Sequence, residues 1–198
     1  MKYTSPSLTC KCDKSNGYCY PACEESGCHI LLPEDVIVLL NVEDLLNKFG
    51  GSLSNISINL KKYPRCDCIV GFLGDKIINI YSIELKGKIP ISNAVDSNYK
   101  NILTSYARNL ARKHLVCISM ILKVLDTLGI QANVKIGCIT LFKNLTGYLG
   151  ILPQLEKTLK NEIKSNLQKM KEDFELSREI KCVNWKRGII SRCGERVL

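Results

Sequence analysis

Hydrophobic and polar positions along the chain change period several times, and each change predicts an element. Cys66 to Leu73 and Lys76 to Lys86 are rich in Ile, Val, Phe, Tyr and Cys. They flank Gly74-Asp75, a Gly-X pair suited to a two-residue type II′ turn, so the stretch predicts a β-hairpin. That turn pairs Leu73 with Lys76 and sets Asp67 opposite Ser82. Upstream, Leu53, Ile56, Ile58 and Leu60 space out polar residues over 52–62 and predict a half-buried strand. Three strands in succession favour an antiparallel meander. Leu32 to Phe49 predicts a helix. Pro33 suits its first turn, Glu34 and Asp35 lie near its positive end, and Val36, Leu39, Leu40 and Leu46 form an apolar stripe before Gly50-Gly51. A second helix, capped by Ser92, Asn93 or Asp96, runs to about Leu128 with Gly129 as its stop. Asn133 to Phe142 reads as a buried strand. Pro153 to about Ser177 reads as an amphipathic helix on Leu155, Leu159, Ile163, Leu167, Met170 and Phe174.

The hairpin also carries polar chemistry. Side chains alternate faces along a strand, so Asp67, Ser82, Glu84 and Lys86 share one face, with Glu84 diagonal to Asp67. Two nearby carboxylates repel unless a proton or cation sits between them. Mg²⁺ suits such a pair, because it takes one or two carboxylates and completes its shell with water. A lysine beside it can orient a water or stabilise charge developing on a phosphate. The plainer reading is a charge pair on a strand edge.

Asp67, a hairpin, then Glu84-Leu85-Lys86 resembles the PD-(D/E)XK nuclease superfamily, which includes restriction endonucleases, archaeal Holliday-junction resolvases and RecB-like nucleases. The resemblance implies an α/β fold, a restriction-endonuclease-like αβββαβ core with a mixed sheet flanked by helices. The order helix, three strands, helix, strand agrees with that core. It further implies that Asp67 and Glu84 bind Mg²⁺ or Mn²⁺, that Lys86 is the catalytic lysine, and that the reaction is hydrolysis of DNA phosphodiester bonds. Resolvases need two sites, which favours a homodimer. Cys66 stands where the family's proline would precede the aspartate, and the nearest proline is Pro64. The Gln-x-x-x-Tyr pattern of RecB-like members is absent.

Charge adds to this picture. The 198 residues carry a net +9, which favours a polyanionic partner such as nucleic acid, with anionic lipid as the competitor. Asn98 to His114 holds Lys100, Arg108, Arg112 and Lys113 without an acid. A basic helix after the Glu-x-Lys strand would lie beside a scissile phosphate, or would be a solvated cationic face. His114 reads as a helix residue packed near the core boundary. The segment from Arg178 is basic around Trp185, which either packs on the core or stacks on a base.

Cysteine use divides the chain. Among eleven cysteines, Cys10, Cys12, Cys19, Cys23 and Cys28 crowd into a leader over 1–31 with few apolar residues. Such a segment usually needs a metal or cross-links to hold a shape, so Zn²⁺ or an iron–sulfur cluster is one reading, and disulfides or loose thiols in a disordered tail are the other. Residues 32–150 then form the nuclease-like core, and 151–198 a C-terminal amphipathic helix and basic tail. Cys182 and Cys193 either pair or complete a cluster begun in the leader. The first residues lack the apolar run of a signal peptide and Leu115 to Leu122 is too short to span a bilayer, so the expectation is a soluble, cytoplasmic protein. The rival function is a non-catalytic nucleic-acid- or protein-binding module with a Cys-bound metal.

Overall fold

The hairpin is the middle of a six-stranded mixed sheet. The computed structural model describes residues 3–4, 10–13, 18–23, 28–29, 36–41, 64–74, 77–90, 98–178 and 189–194, with side chains from residue 64 onward except at 73 and 74. In chain order the strands are β1 (Tyr3–Thr4), β2 (Cys10–Asp13), β3 (Tyr18–Cys23), β4 (Cys28–His29), β5 (Val36–Asn41), β6 (Cys68–Gly74) and β7 (Ile77–Lys86). Helix α1 (Tyr99–Thr127), β8 (Asn133–Phe142), helix α2 (Leu152–Asp173) and β9 (Ile190–Arg192) follow. The large sheet runs β1-β5-β6-β7-β8-β9, and β2-β3-β4 form a separate small sheet. Strands β5, β6 and β7 are antiparallel neighbours, whereas β8 and β9 join in parallel after the crossovers α1 and α2.

One expectation fails outright. Val36 to Asn41, read as the middle of a helix, is a strand hydrogen-bonded between β1 and β6. The run VIVLLN has β-branched residues and no polar phase of its own, so the partner strands decide its conformation. The flanks of the expected helix and the expected strand over 52–62 lie outside the described residues.

The hairpin register differs from the expected one by two residues. Gly74 pairs with Ile77 at one end of the ladder and Cys68 with Ile83 at the other, while residues 75 and 76 lie outside the described ones. The observed pairing sets Val70 beside Tyr81 and Leu73 beside Ile78, where the expected one would have set them beside Asn79 and Lys76. A slip of two keeps every side chain on its face. The Tyr81 ring lies over Gly137 of β8, where a Cβ would come within 2.5 Å of it, and meets Phe72 edge-on at 5.9 Å.

Helix α1 covers the face of β7 that carries Ile80, Ser82 and Glu84. From His114 to Leu122 every one of its residues is buried, as its apolar composition demands. It ends at Leu128, with Gly129 in the left-handed region at φ 67°. Helix α2 packs along α1 through Leu155, Leu159, Ile163, Met170 and Phe174, all buried. The opposite face of the sheet is covered too, since Ile83, Leu85, Ile139 and Leu141 are buried. This is why β8 shows a continuous apolar run rather than an alternating one. Residues from 151 on return to the sheet: β9 pairs with β8, and Arg178 bonds Asp126 at 2.6 Å and the Ile130 carbonyl at 2.8 Å. Trp185 and Cys182 lie outside the described residues. No described helix is long and apolar enough to cross a membrane.

Candidate active site

The hairpin and α1 bring four charges together at one end of the sheet. Asp67 immediately precedes β6, and the paired register ends beside it at Cys68, opposite Ile83, so Ser82 faces Ile69 and not Asp67. Two hydrogen bonds hold Asp67 there. The Asp67 N–H donates to the Ile83 carbonyl at 3.0 Å, and the Leu85 N–H donates to Asp67 Oδ2 at 2.6 Å. Glu84 is fully buried. Lys86 Nζ lies 2.5 Å from Glu84 Oε1. The three residues of the Asp…Glu-x-Lys pattern therefore do converge.

A fourth residue joins them. Lys113 Nζ, from α1, also lies 2.5 Å from Glu84 Oε1. Its sequence assignment was to phosphate contact along with Lys100, Arg108 and Arg112, and the structure separates it from those three. A helical period places Lys113 on the stripe of Tyr106, Leu110 and Cys117, which face the sheet. That spacing was readable; the uniform charge of the segment hid it. Lys100, Arg108 and Arg112 are exposed. Arg108 makes a 3.4 Å ion pair with Glu162 of α2. Arg108 and Arg112 also line a groove of about 290 Å³ between the helices, together with Asn166, Lys169 and Asp173.

The electrostatics follow from burial. Burial, then the charge of Glu84, pushes the Asp67 carboxyl up to about 6, against the Leu85 N–H and the two lysines, which favour its ionised form. Burial draws the Lys113 ammonium down, but its hydrogen bond to Glu84 and that carboxylate's charge outweigh this, and the net shift is upward. Burial and then Glu84 raise the Tyr106 hydroxyl. That hydroxyl and Glu84 Oε2 are both buried with no hydrogen-bond partner.

Behind the charges, His114 bridges the two central strands. Its Nδ1 lies 2.8 Å from Ser82 Oγ and its Nε2 2.9 Å from Thr140 Oγ1. Burial, then Lys113 and Lys86, pulls its pKa down to about 3, so the ring is neutral at ordinary pH. With both nitrogens occupied inside the core, His114 is a satisfied structural residue and not a base for substrate.

The donor set fits a divalent cation. Glu84 Oε2 is a buried carboxylate oxygen without a partner, and Asp67, with Oδ2 bonded to Leu85, has Oδ1 to offer. Two protein oxygens plus water are the usual shell of Mg²⁺. Among the described residues no group of three or more His, Cys, Asp or Glu side chains gathers as a metal site.

The leader cysteines are placed by backbone alone. Cys10 is in register with Pro21, Cys12 with Cys19, and Cys23 with Cys28. Cys19 and Cys23 stand four residues apart on β3, about 13 Å at ordinary strand rise. Cys193, at the end of β9, is disulfide-bonded. Cys66, Cys68, Cys117 and Cys138 are buried thiols, and burial raises Cys138 to about 12.

No family model matches this chain, and neither the curated proteins nor the solved structures yield a match. Fold and site together define a class: a mixed α/β sheet with crossover helices and a buried carboxylate contacted by lysines from β7 and α1.

Proposed function

We propose that this chain is a metal-dependent nuclease with a restriction-endonuclease-like core, hydrolysing phosphodiester bonds of nucleic acid, DNA in the first instance. One observation carries the reading: the Asp67 carboxylate accepts from the Leu85 N–H next to Glu84, Lys86 contacts that glutamate, and Glu84 Oε2 stays buried without a partner. Three antiparallel strands, a crossover helix and a parallel strand support it as the βββαβ part of such a core. Asp67 and Glu84 would hold Mg²⁺ or Mn²⁺, which supplies polarisation of the phosphate and acidification of an attacking water. Lys86, partly exposed, donates hydrogen bonds to the phosphate or to that water. Asp67 is ionised above about pH 6 and so available as a ligand at neutral pH. Hydrolysis forms a bond from the water oxygen to phosphorus and breaks one bridging phosphorus–oxygen bond; the attacking water gives up a proton to solvent, and the leaving oxygen takes one up from solvent to become a hydroxyl.

The test is nicking of supercoiled plasmid with Mg²⁺ by wild type and Glu84→Gln. Wild type is expected to cleave and the variant to lose about 10³-fold; equal cleavage by both overturns the catalytic role. One observation favours a second reading. Lys86 and Lys113 already neutralise Glu84, as they would in a basic binding module without turnover. That reading predicts Mg²⁺-independent DNA binding and no nicking by the wild type.

A further inference from the structure

The nuclease reading assigns a task to Lys86 but none to Lys113, which reaches the same carboxylate from another element. Two ammonium groups crowd Glu84 Oε1, each at 2.5 Å, while Oε2 of the same buried carboxylate has no partner. The Tyr106 hydroxyl, buried and under the influence of the same charge, has none either. With both carboxylates ionised, Asp67, Glu84, Lys86 and Lys113 sum to zero, so the cluster is neutral on its own. A divalent cation added to it leaves an excess of two positive charges where Glu84 is wholly screened from water. Like charges in such a place repel far more strongly than at a surface. Lys86 has a task in the nuclease reading, so Lys113 is the ammonium that reading can spare. Its side chain is 22% exposed, against 29% for Lys86, which still gives its head solvent to move into.

We propose that Lys113 is a displaceable counter-ion that competes with divalent cations for Glu84, so that the free protein holds such cations weakly. This rests on the nuclease reading and deepens it. A phosphodiester anion that attracts the Lys113 ammonium relieves the competition. Cation and nucleic acid therefore strengthen each other's binding, and by linkage each does so equally. The protein would hold its metal firmly only with substrate present.

The experiment is a Mn²⁺ titration of the full-length protein, with free Mn²⁺ read by electron paramagnetic resonance. It is run with and without a phosphorothioate DNA duplex, on wild type, Lys113→Met, Lys113→Arg and Glu84→Gln. Lys113→Met is expected to bind Mn²⁺ about tenfold more tightly than wild type without DNA. DNA should tighten Mn²⁺ binding to wild type and to Lys113→Arg, and do so much less for Lys113→Met. Glu84→Gln should abolish the site. Lys113→Gln, also neutral and still able to hydrogen-bond Glu84, carries the same expectation and stands in if the methionine variant does not fold. If Mn²⁺ binding depends on Glu84 but neither neutral variant tightens it, the counter-ion role is overturned and the nuclease reading survives. If no variant, wild type included, shows Glu84-dependent Mn²⁺ binding, both fall.

Discussion

Two sides of helix α1 carry cations of similar kind in opposite circumstances. On the sheet-facing side, Lys113 is bonded to a buried glutamate, and His114 beside it is locked between Ser82 and Thr140. On the outer side, Lys100, Arg108 and Arg112 are exposed, and Arg108 makes a long pair with Glu162 of α2. One residue along a helix turns the side chain by about 100°. That rotation alone separates Arg112, outside, from Lys113, inside. Net charge over the segment is therefore a poor guide to what the segment does. Phase against the buried stripe decides whether a lysine is part of a site or part of a surface.

The strongest way to break this contrast is to reverse charge on each side. Lys113→Glu places a third carboxylate against Glu84 and Asp67 with little water to screen it, and should cost about 3 kcal/mol or more of stability. Lys100→Glu, exposed and in the first turn where acids are favoured by the helix dipole, should stay within about 0.5 kcal/mol of wild type. Urea unfolding of both variants checks this. Equal losses would mean that the two sides of α1 are not energetically distinct.

A smaller effect comes from His114. Its folded pKa, about 3, lies below the ordinary 6.5, so the unfolded chain binds a proton that the folded one does not between those values. The stability it contributes is complete above pH 6.5 and is lost as pH falls towards 3, at up to about 1.4 kcal/mol per pH unit. Asp67 runs the other way between about 4 and 6, because its folded pKa is raised. The readout is thus the difference between wild type and His114→Gln. The variant should be less stable at pH 7 by about 2 kcal/mol, since Ser82 and Thr140 lose partners, and the gap should narrow on acidification. A gap that is constant from pH 7 to 4 would show that the ring titrates normally.

Much of this geometry was legible in the chain, and the failures have physical causes. The faces of β7 followed from alternation, which survived a register misplaced by two residues because the slip was even. Asp67, Glu84 and Lys86 do lie together, though Asp67 sits just before β6 and bonds Ile83 and Leu85, while Ser82 faces Ile69. Helix α1, strand β8 and helix α2 were marked by length, period and the Gly129 stop. Val36 to Asn41 was misread because a short apolar run satisfies both periods and its strand partners are remote, Cys68 to Phe72 on one side and Tyr3-Thr4 on the other. Strand β9 was not predicted at all. Three residues of parallel edge carry almost no local signal, and they are held by the backbone of Thr140 to Phe142. Lys113 was assigned by its charge instead of its phase.

The smallest expected effect tests the outer side for a role of its own. Arg108→Ala removes a 3.4 Å pair in which the arginine is 65% exposed. Such pairs contribute about 0.5 kcal/mol at most, so folding should hardly change. If the groove lined by Arg108, Arg112 and Lys169 follows a nucleic-acid backbone, however, each arginine that meets a phosphate releases condensed counter-ions on binding. The double variant Arg108→Ala/Arg112→Ala should then weaken binding similarly for unrelated sequences. It should also flatten the dependence of log K on log salt by about two on duplex DNA. Cleavage at saturating DNA should stay near wild type, because these arginines do not touch the carboxylate cluster. Fluorescence anisotropy with a labelled duplex over a salt series measures the slope. An unchanged slope would leave Arg108 and Arg112 as solvated charges, and would confine the contribution of α1 to nucleic-acid chemistry to the side that carries Lys113.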